Sequence, residues 1–142
     1  MASILLRVPL EGDEAAAYKA VATSDGVNGW WSNHTEGPDG VGSTMRVAFP
    51  EAPITFDFTV TDEAPDKRVV WHCESGPPEW VGTDVSFELQ RDADGNLSVL
   101  FTHAGWQSTD ESFPFIAYSW AQILPRLKEL VETGDANPYF RF

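Results

Sequence analysis

His103 is the residue of this 142-residue chain whose type and position most invite chemistry. It follows Val99 and Phe101 at steps of two in the run Leu97 to Ala104, so it shares a face with apolar side chains, close to Trp106. An imidazole there can hydrogen-bond a ligand or take a proton as a general base. The competing reading is a strand-end histidine satisfied by backbone, because buried polar groups are normally bonded. His72 and Cys73 sit side by side and imitate a metal pair, but neighbours on a strand point to opposite faces and cannot share one ion. His34 joins His103 at a cavity mouth only if the first turn and the last strand approach each other; a solvated loop histidine is the ordinary case. The acid pairs Asp62-Glu63 and Asp110-Glu111 stand beside turn residues, where carboxylates stay solvated because burying an unpaired one is costly. No G-x-S-x-G elbow, phosphate-binding P-loop or G-x-G-x-x-G run occurs, so acyl transfer, nucleotide hydrolysis and dinucleotide redox chemistry lack their usual frames. We expect no metal site and no cofactor.

These residues need elements to position them. Ser3 to Val8 alternates, with Ile4, Leu6 and Val8 on one side, and reads as a first strand that Pro9 ends. Gly12-Asp13-Glu14 starts a short helix, and Thr23-Ser24-Asp25 breaks it and starts a second one that ends near Trp30-Trp31. One of those indoles packs inward; the other is left to the surface or to a portal. A meander of antiparallel strands follows over Thr44 to Phe49, Thr55 to Ala64, Lys67 to Glu74, Thr83 to Gln90 and Leu97 to Ala104. Phe56, Phe58 and Val60 face one way in the second of these, against Asp57, Thr59 and Thr61. Asp92 to Asn96 closes a hairpin, with Asp94-Gly95 suited to a type I′ turn. An EF-hand reading of that loop fails, since Leu97 stands where the invariant Gly belongs and His103 where the bidentate Glu belongs. Phe113, Ile116, Ala117, Trp120, Leu124, Leu127 and Val131 then recur at steps of three and four, which makes a long amphipathic helix. Ser112 reads as its N-cap and Gly134 as its stop, and Pro125 predicts a kink or break.

Composition narrows the partners. Nine Lys plus Arg against 22 Asp plus Glu give a formal charge of -13, which repels nucleic acid and anionic bilayers. A single cysteine, Cys73, forms no intrachain disulfide and fits a reducing, cytoplasmic compartment. The apolar run Ile4 to Leu6 is far too short for a membrane span or a signal-peptide core. Eighteen aromatics, six of them Trp, give more large flat apolar surface than so small a core obviously requires. The fold class is α+β over residues 1–142 as one domain, with a curved antiparallel sheet of about six to seven strands around the long C-terminal helix. Unless the lining side chains fill it, the space between sheet and helix suits an apolar or aromatic molecule.

The chain resembles the START-type helix-grip (SRPBCC) superfamily, specifically its stand-alone bacterial domains similar to the activator of Hsp90 ATPase. The resemblance rests on Trp30-Trp31, "PDKRVVW" from Pro65 to Trp71, "WVGTDVSFEL" from Trp80 to Leu89, "THAGW" from Thr102 to Trp106, and "WAQILPRLKELVETG" from Trp120 to Gly134. It implies a fold whose members hold lipids, sterols, plant hormones or polyketides between sheet and helix. A minority are aromatic polyketide cyclases, and the namesake stimulates a chaperone; fold transfers better than function. The expectation is therefore a binding domain for a small hydrophobic or aromatic molecule, lipid-like or polyketide-like. Strand parity and the helix stripe select Met45, Phe56, Phe58, Trp71, Phe87, Phe101, His103 and Trp120 as its lining, together with Trp31. The rivals are a cyclase-type enzyme with His103 as base, and an interaction module for a chaperone.

Overall fold

A computed structural model describes residues 1–110 and 112–142, so Glu111 of the Asp110-Glu111 pair lies outside the described residues. Strand β1 (Ala2–Leu10) is followed by helices α1 (Glu14–Ala22) and α2 (Ser24–Asn28). Strands β2 (Thr35–Glu36), β3 (Thr44–Phe49), β4 (Ile54–Ala64), β5 (Arg68–Ser75), β6 (Asp84–Arg91) and β7 (Leu97–Trp106) come next, and helix α3 (Ser112–Thr133) ends the series. The seven strands form one antiparallel sheet in the order β1-β7-β6-β5-β4-β3-β2, so the meander closes by bringing β1 back beside β7. This is the expected α+β helix-grip architecture.

Local chemistry explains each piece. Asp13 caps α1 by accepting the Ala16 amide at 2.8 Å, and Thr23 caps α2 through the Gly26 amide at 2.9 Å. The two helices can touch because position 26 has no side chain: a Cβ there would stand 2.3 Å from the Lys19 carbonyl oxygen. That crossing feeds Trp30 and Trp31 under the sheet. In β4 and β5 the expected parity holds, with Phe56, Phe58 and Val60, then Val69, Trp71 and Cys73, all buried.

Four expectations need correction. The first strand does not stop at Pro9 but pairs on to Leu10; β1 is an edge strand, where half of the N–H groups face no partner and proline is tolerated. The Asp94-Gly95 turn is not type I′, because Gly95 has a positive φ of 83° and Asp94 does not. The Gly95 amide donates to the Asp92 carbonyl, while the Asp92 carboxylate accepts the amides of Asp94 and Asn96 at 2.9 Å and is thereby held below the usual carboxylate range. Of the kink or break expected at Pro125, the break is absent, since helix α3 is continuous from Ser112 to Thr133. Pro125 and Ala121 both lie on the exposed face, where water can take the carbonyl that proline leaves unbonded. Ser112 is the first residue of α3 rather than its cap, and its hydroxyl donates to Glu79 at 3.2 Å.

The tight crossing generates a prediction. Gly26→Ala forces α1 and α2 apart and should destabilise the chain by about 1–3 kcal/mol, read as a lower urea midpoint. An unchanged midpoint would show that the crossing tolerates separation.

Candidate functional site

Beneath the sheet, Trp31 is the centre of the aromatic packing. Its ring lies 5.0 Å from Trp120 of α3, 5.7 Å from both Phe49 and Phe56, and 6.3 Å from the near-parallel rings of Trp71 and Trp80. Trp30 turns the other way, stacks on Trp71 at 6.4 Å, and donates its indole N–H to the Ala20 carbonyl at 2.8 Å. Both indoles are buried, so neither is left at the surface.

The interior is filled on one side of Trp31 and open on the other. Met45, Phe58, Trp71, Phe87 and Phe101 are all buried in close aromatic and aliphatic packing, and none lines the pocket that opens on the other side. Trp31, Phe56 and Trp120 do border one: an apolar pocket of about 460 Å³ between α3, the β3–β4 turn and the chain after α3. Parity reasoning missed most of its remaining wall. Phe49 shares the buried side of β3 with Met45 and Val47, so the same parity reaches it. Trp80 comes from the β5–β6 connection, Ile123 from α3, and Phe140 and Phe142 from the C-terminal segment.

That last segment is fixed by backbone bonds, not by a helix or a long strand. Tyr139 and Phe140 amides donate to the Trp30 and Trp31 carbonyls at 3.0 and 2.8 Å, the Asn33 amide donates to the Phe140 carbonyl, and the Asn33 side chain exchanges bonds with the backbone of Phe142. Phe140 then meets Phe49 edge-on at 4.9 Å. His34 touches this wall through Phe142, with 5.7 Å between ring centroids, but does not line the pocket. No hydrogen bond joins it to His103, whose partners are Thr83 and Trp120.

His103 sits outside the pocket with both ring nitrogens bonded. The Thr83 hydroxyl donates to the Trp80 carbonyl at 2.6 Å, so it accepts from His103 Nε2–H at 2.8 Å. That leaves Nδ1 to accept the Trp120 indole N–H at 3.1 Å. One tautomer satisfies the whole chain of bonds. Burial pushes the imidazole down to about 3, so it is neutral near pH 7, and no lone pair is free to take a substrate proton. What the arrangement does is hold Trp120 and Trp80, two walls of the pocket, at fixed angles.

The other chemical candidates fall outside the pocket as well. His72 pairs with Asp84 at 2.7 Å on the opposite face from Cys73, whose buried thiol is pushed up to about 11. Asp62 is paired with Arg68 at 2.8 Å on the surface. Among the described residues no cluster of three or more His, Cys, Asp or Glu could hold a metal ion. Among the described residues no helix is long and apolar enough to cross a membrane.

The buried imidazole makes stability depend on pH with a definite sign. An unfolded chain protonates this histidine near pH 6.5, the folded one only near 3, so between those values the unfolded state binds more protons. Stability is whole above about pH 6.5 and falls as pH drops, by about 2 kcal/mol at pH 5 at about 1.4 kcal/mol per unit. His103→Gln should lower the urea midpoint at pH 7 yet flatten its decline between pH 7 and 5. An equally steep decline in the variant would remove His103 as the cause.

Comparison with known proteins agrees with this fold. The solution structure of the Aha1 dimer from Colwellia psychrerythraea is similar with a TM-score of 0.82 at 33% identity, over 94% of this chain and 98% of that one. DynU16, a putative protein of the dynemicin biosynthetic locus, matches in fold at 0.79 with 20% identity, over 99% of this chain and 51% of that one. CalU16 from Micromonospora echinospora matches at 0.71 with 17% identity, over 97% of this chain and 78% of that one. No curated protein matches the chain. A family model described as activator of Hsp90 ATPase homolog 1-like protein spans residues 14–132, and the chain belongs to that family.

Proposed function

We propose that residues 1–142 act as one binding domain that holds a small apolar or aromatic molecule in the pocket beside Trp31. The observation that carries this reading is the pocket itself: about 460 Å³ walled by Trp31, Phe49, Phe56, Trp80, Trp120 and Phe140, beside a packed core. Its size falls within the range of small-molecule sites, and its wall is the apolar kind that releases most free energy when a ring replaces water. Other recesses of the surface have more polar walls: Asp13, Glu14, Lys67, Arg68 and Arg91 meet in one, and Glu79, Gln107 and Asp110 share another with Trp106 and Phe113.

Two features support details of the reading. A lipid-like or polyketide-like molecule suits flat aromatic walls, and the likeness in fold to a putative protein of the dynemicin biosynthetic locus is compatible with it. A cytoplasmic location suits the lone buried thiol of Cys73. The cyclase alternative gains nothing from His103, which is bonded at both nitrogens and does not face the pocket. The chaperone-contact alternative has one observation in its favour: Phe115 at the pocket rim and Tyr118 nearby on α3 are 65% and 64% exposed.

The neutral fluorescent probe N-phenyl-1-naphthylamine separates these readings. Saturable binding to the wild type, lost by tenfold or more in Ser119→Trp, is the expected result, because an indole at Ser119 would fill the cavity from α3 without disturbing the packed core. Absence of saturable binding by the wild type would sink the pocket reading and leave the exposed α3 aromatics as the surface to explain.

A further inference from the structure

We propose that the molecule held in this pocket is an arylalkyl amine in its ammonium form, with its rings against Trp31 and Trp80 and its charge received by Glu51 at the mouth. This rests on the pocket being a ligand site. Glu51 is the one ionisable side chain on the lining, and no Lys, Arg or His shares it. It projects from the β3–β4 turn, exposed, beside Ala52 and Ile54.

The surrounding charges leave it available. Elsewhere on the surface Asp57, Asp62, Glu14 and Glu132 are each paired with Arg46, Arg68, Arg91 and Lys128 respectively. Glu51 has no such partner among the described residues. Arg141 stands between the two wall residues Phe140 and Phe142, but it is exposed, bonded to Asn137, and does not line the pocket.

The chemistry discriminates by sign. A carboxylate or sulfonate ligand would lose water on entering and find no cation to replace it, which is costly. An ammonium at the mouth would meet the Glu51 carboxylate, which attracts it. The formal charge of -13 adds a field that draws cations towards the protein and repels anions.

Displacement of bound N-phenyl-1-naphthylamine by three molecules with one ring system and three end groups tests this: 1-naphthylmethylamine, 1-naphthalenemethanol and 1-naphthoic acid. In salt near 0.15 M, where fields beyond about 8 Å are screened, the amine should compete roughly threefold to tenfold more strongly than the alcohol, and the acid should be weakest. Glu51→Gln should bring the amine to the level of the alcohol and leave the alcohol unchanged. Equal competition by amine and alcohol, preference for the acid, or an amine preference that survives in Glu51→Gln would each overturn the proposal while leaving the pocket reading intact. Failure of the neutral probe itself to bind would overturn both, which keeps the two failures apart.

Discussion

Everything inside this protein is arranged around the wedge that Trp31 drives under the sheet. A seven-stranded antiparallel sheet with a single long helix over it encloses more space than one helix face can fill. The short helix pair supplies the missing volume. Because Gly26 lets α2 lie against the backbone of α1, the chain leaves that pair with two successive indoles directed beneath the strands. Trp30 completes the packed side with Trp71 and Phe87, at 6.4 and 5.8 Å. Trp31 stops the packing at its far face, and the pocket begins there.

The polar bonds beneath the sheet serve that division. An indole ring set between open space and solid packing needs an anchor, or the cavity collapses by rotamer change. Trp120 is anchored through its N–H to His103, and His103 through Thr83 to the backbone of Trp80. A fully satisfied buried network of this kind rigidifies its neighbours, whereas a partly bonded one would be costly in the same low-dielectric surroundings. The histidine that invites a catalytic reading in the sequence thus works as a spacer between two pocket walls.

The matched part of the family model ends at residue 132, and two aromatic walls of the pocket, Phe140 and Phe142, come after it. The segment that carries them is bound to Trp30, Trp31 and Asn33 through backbone amides and carbonyls, plus one asparagine side chain. Backbone bonding of this sort places few demands on side-chain identity, so the rings it presents can differ without loss of the fold. This chain uses that freedom to close an apolar pocket with phenylalanines.

How much of this could be read from the residues follows from what generates a periodic signal. Burial on one face repeats every second residue in a strand and every third or fourth in a helix, so β4, β5 and the stripe of α3 were legible, as were the helix starts around Asp13 and Thr23. The family resemblance added the order in which those elements pack. Distances across the fold leave no such trace. Phe58, Trp71 and Phe101 share a parity with Phe56 and Phe49, yet the first three are packed solid and the last two face space. Only the position of Trp31 decides which is which. Phe140 and Phe142 lie in a segment without period, and their place depends on bonds to residues about a hundred positions earlier. The sequence by itself determined the elements, their buried faces and the acidity of the surface, because these depend on neighbours along the chain. Tertiary structure alone decided where the core stops and a pocket starts, because that depends on which side chains from distant elements compete for the same volume.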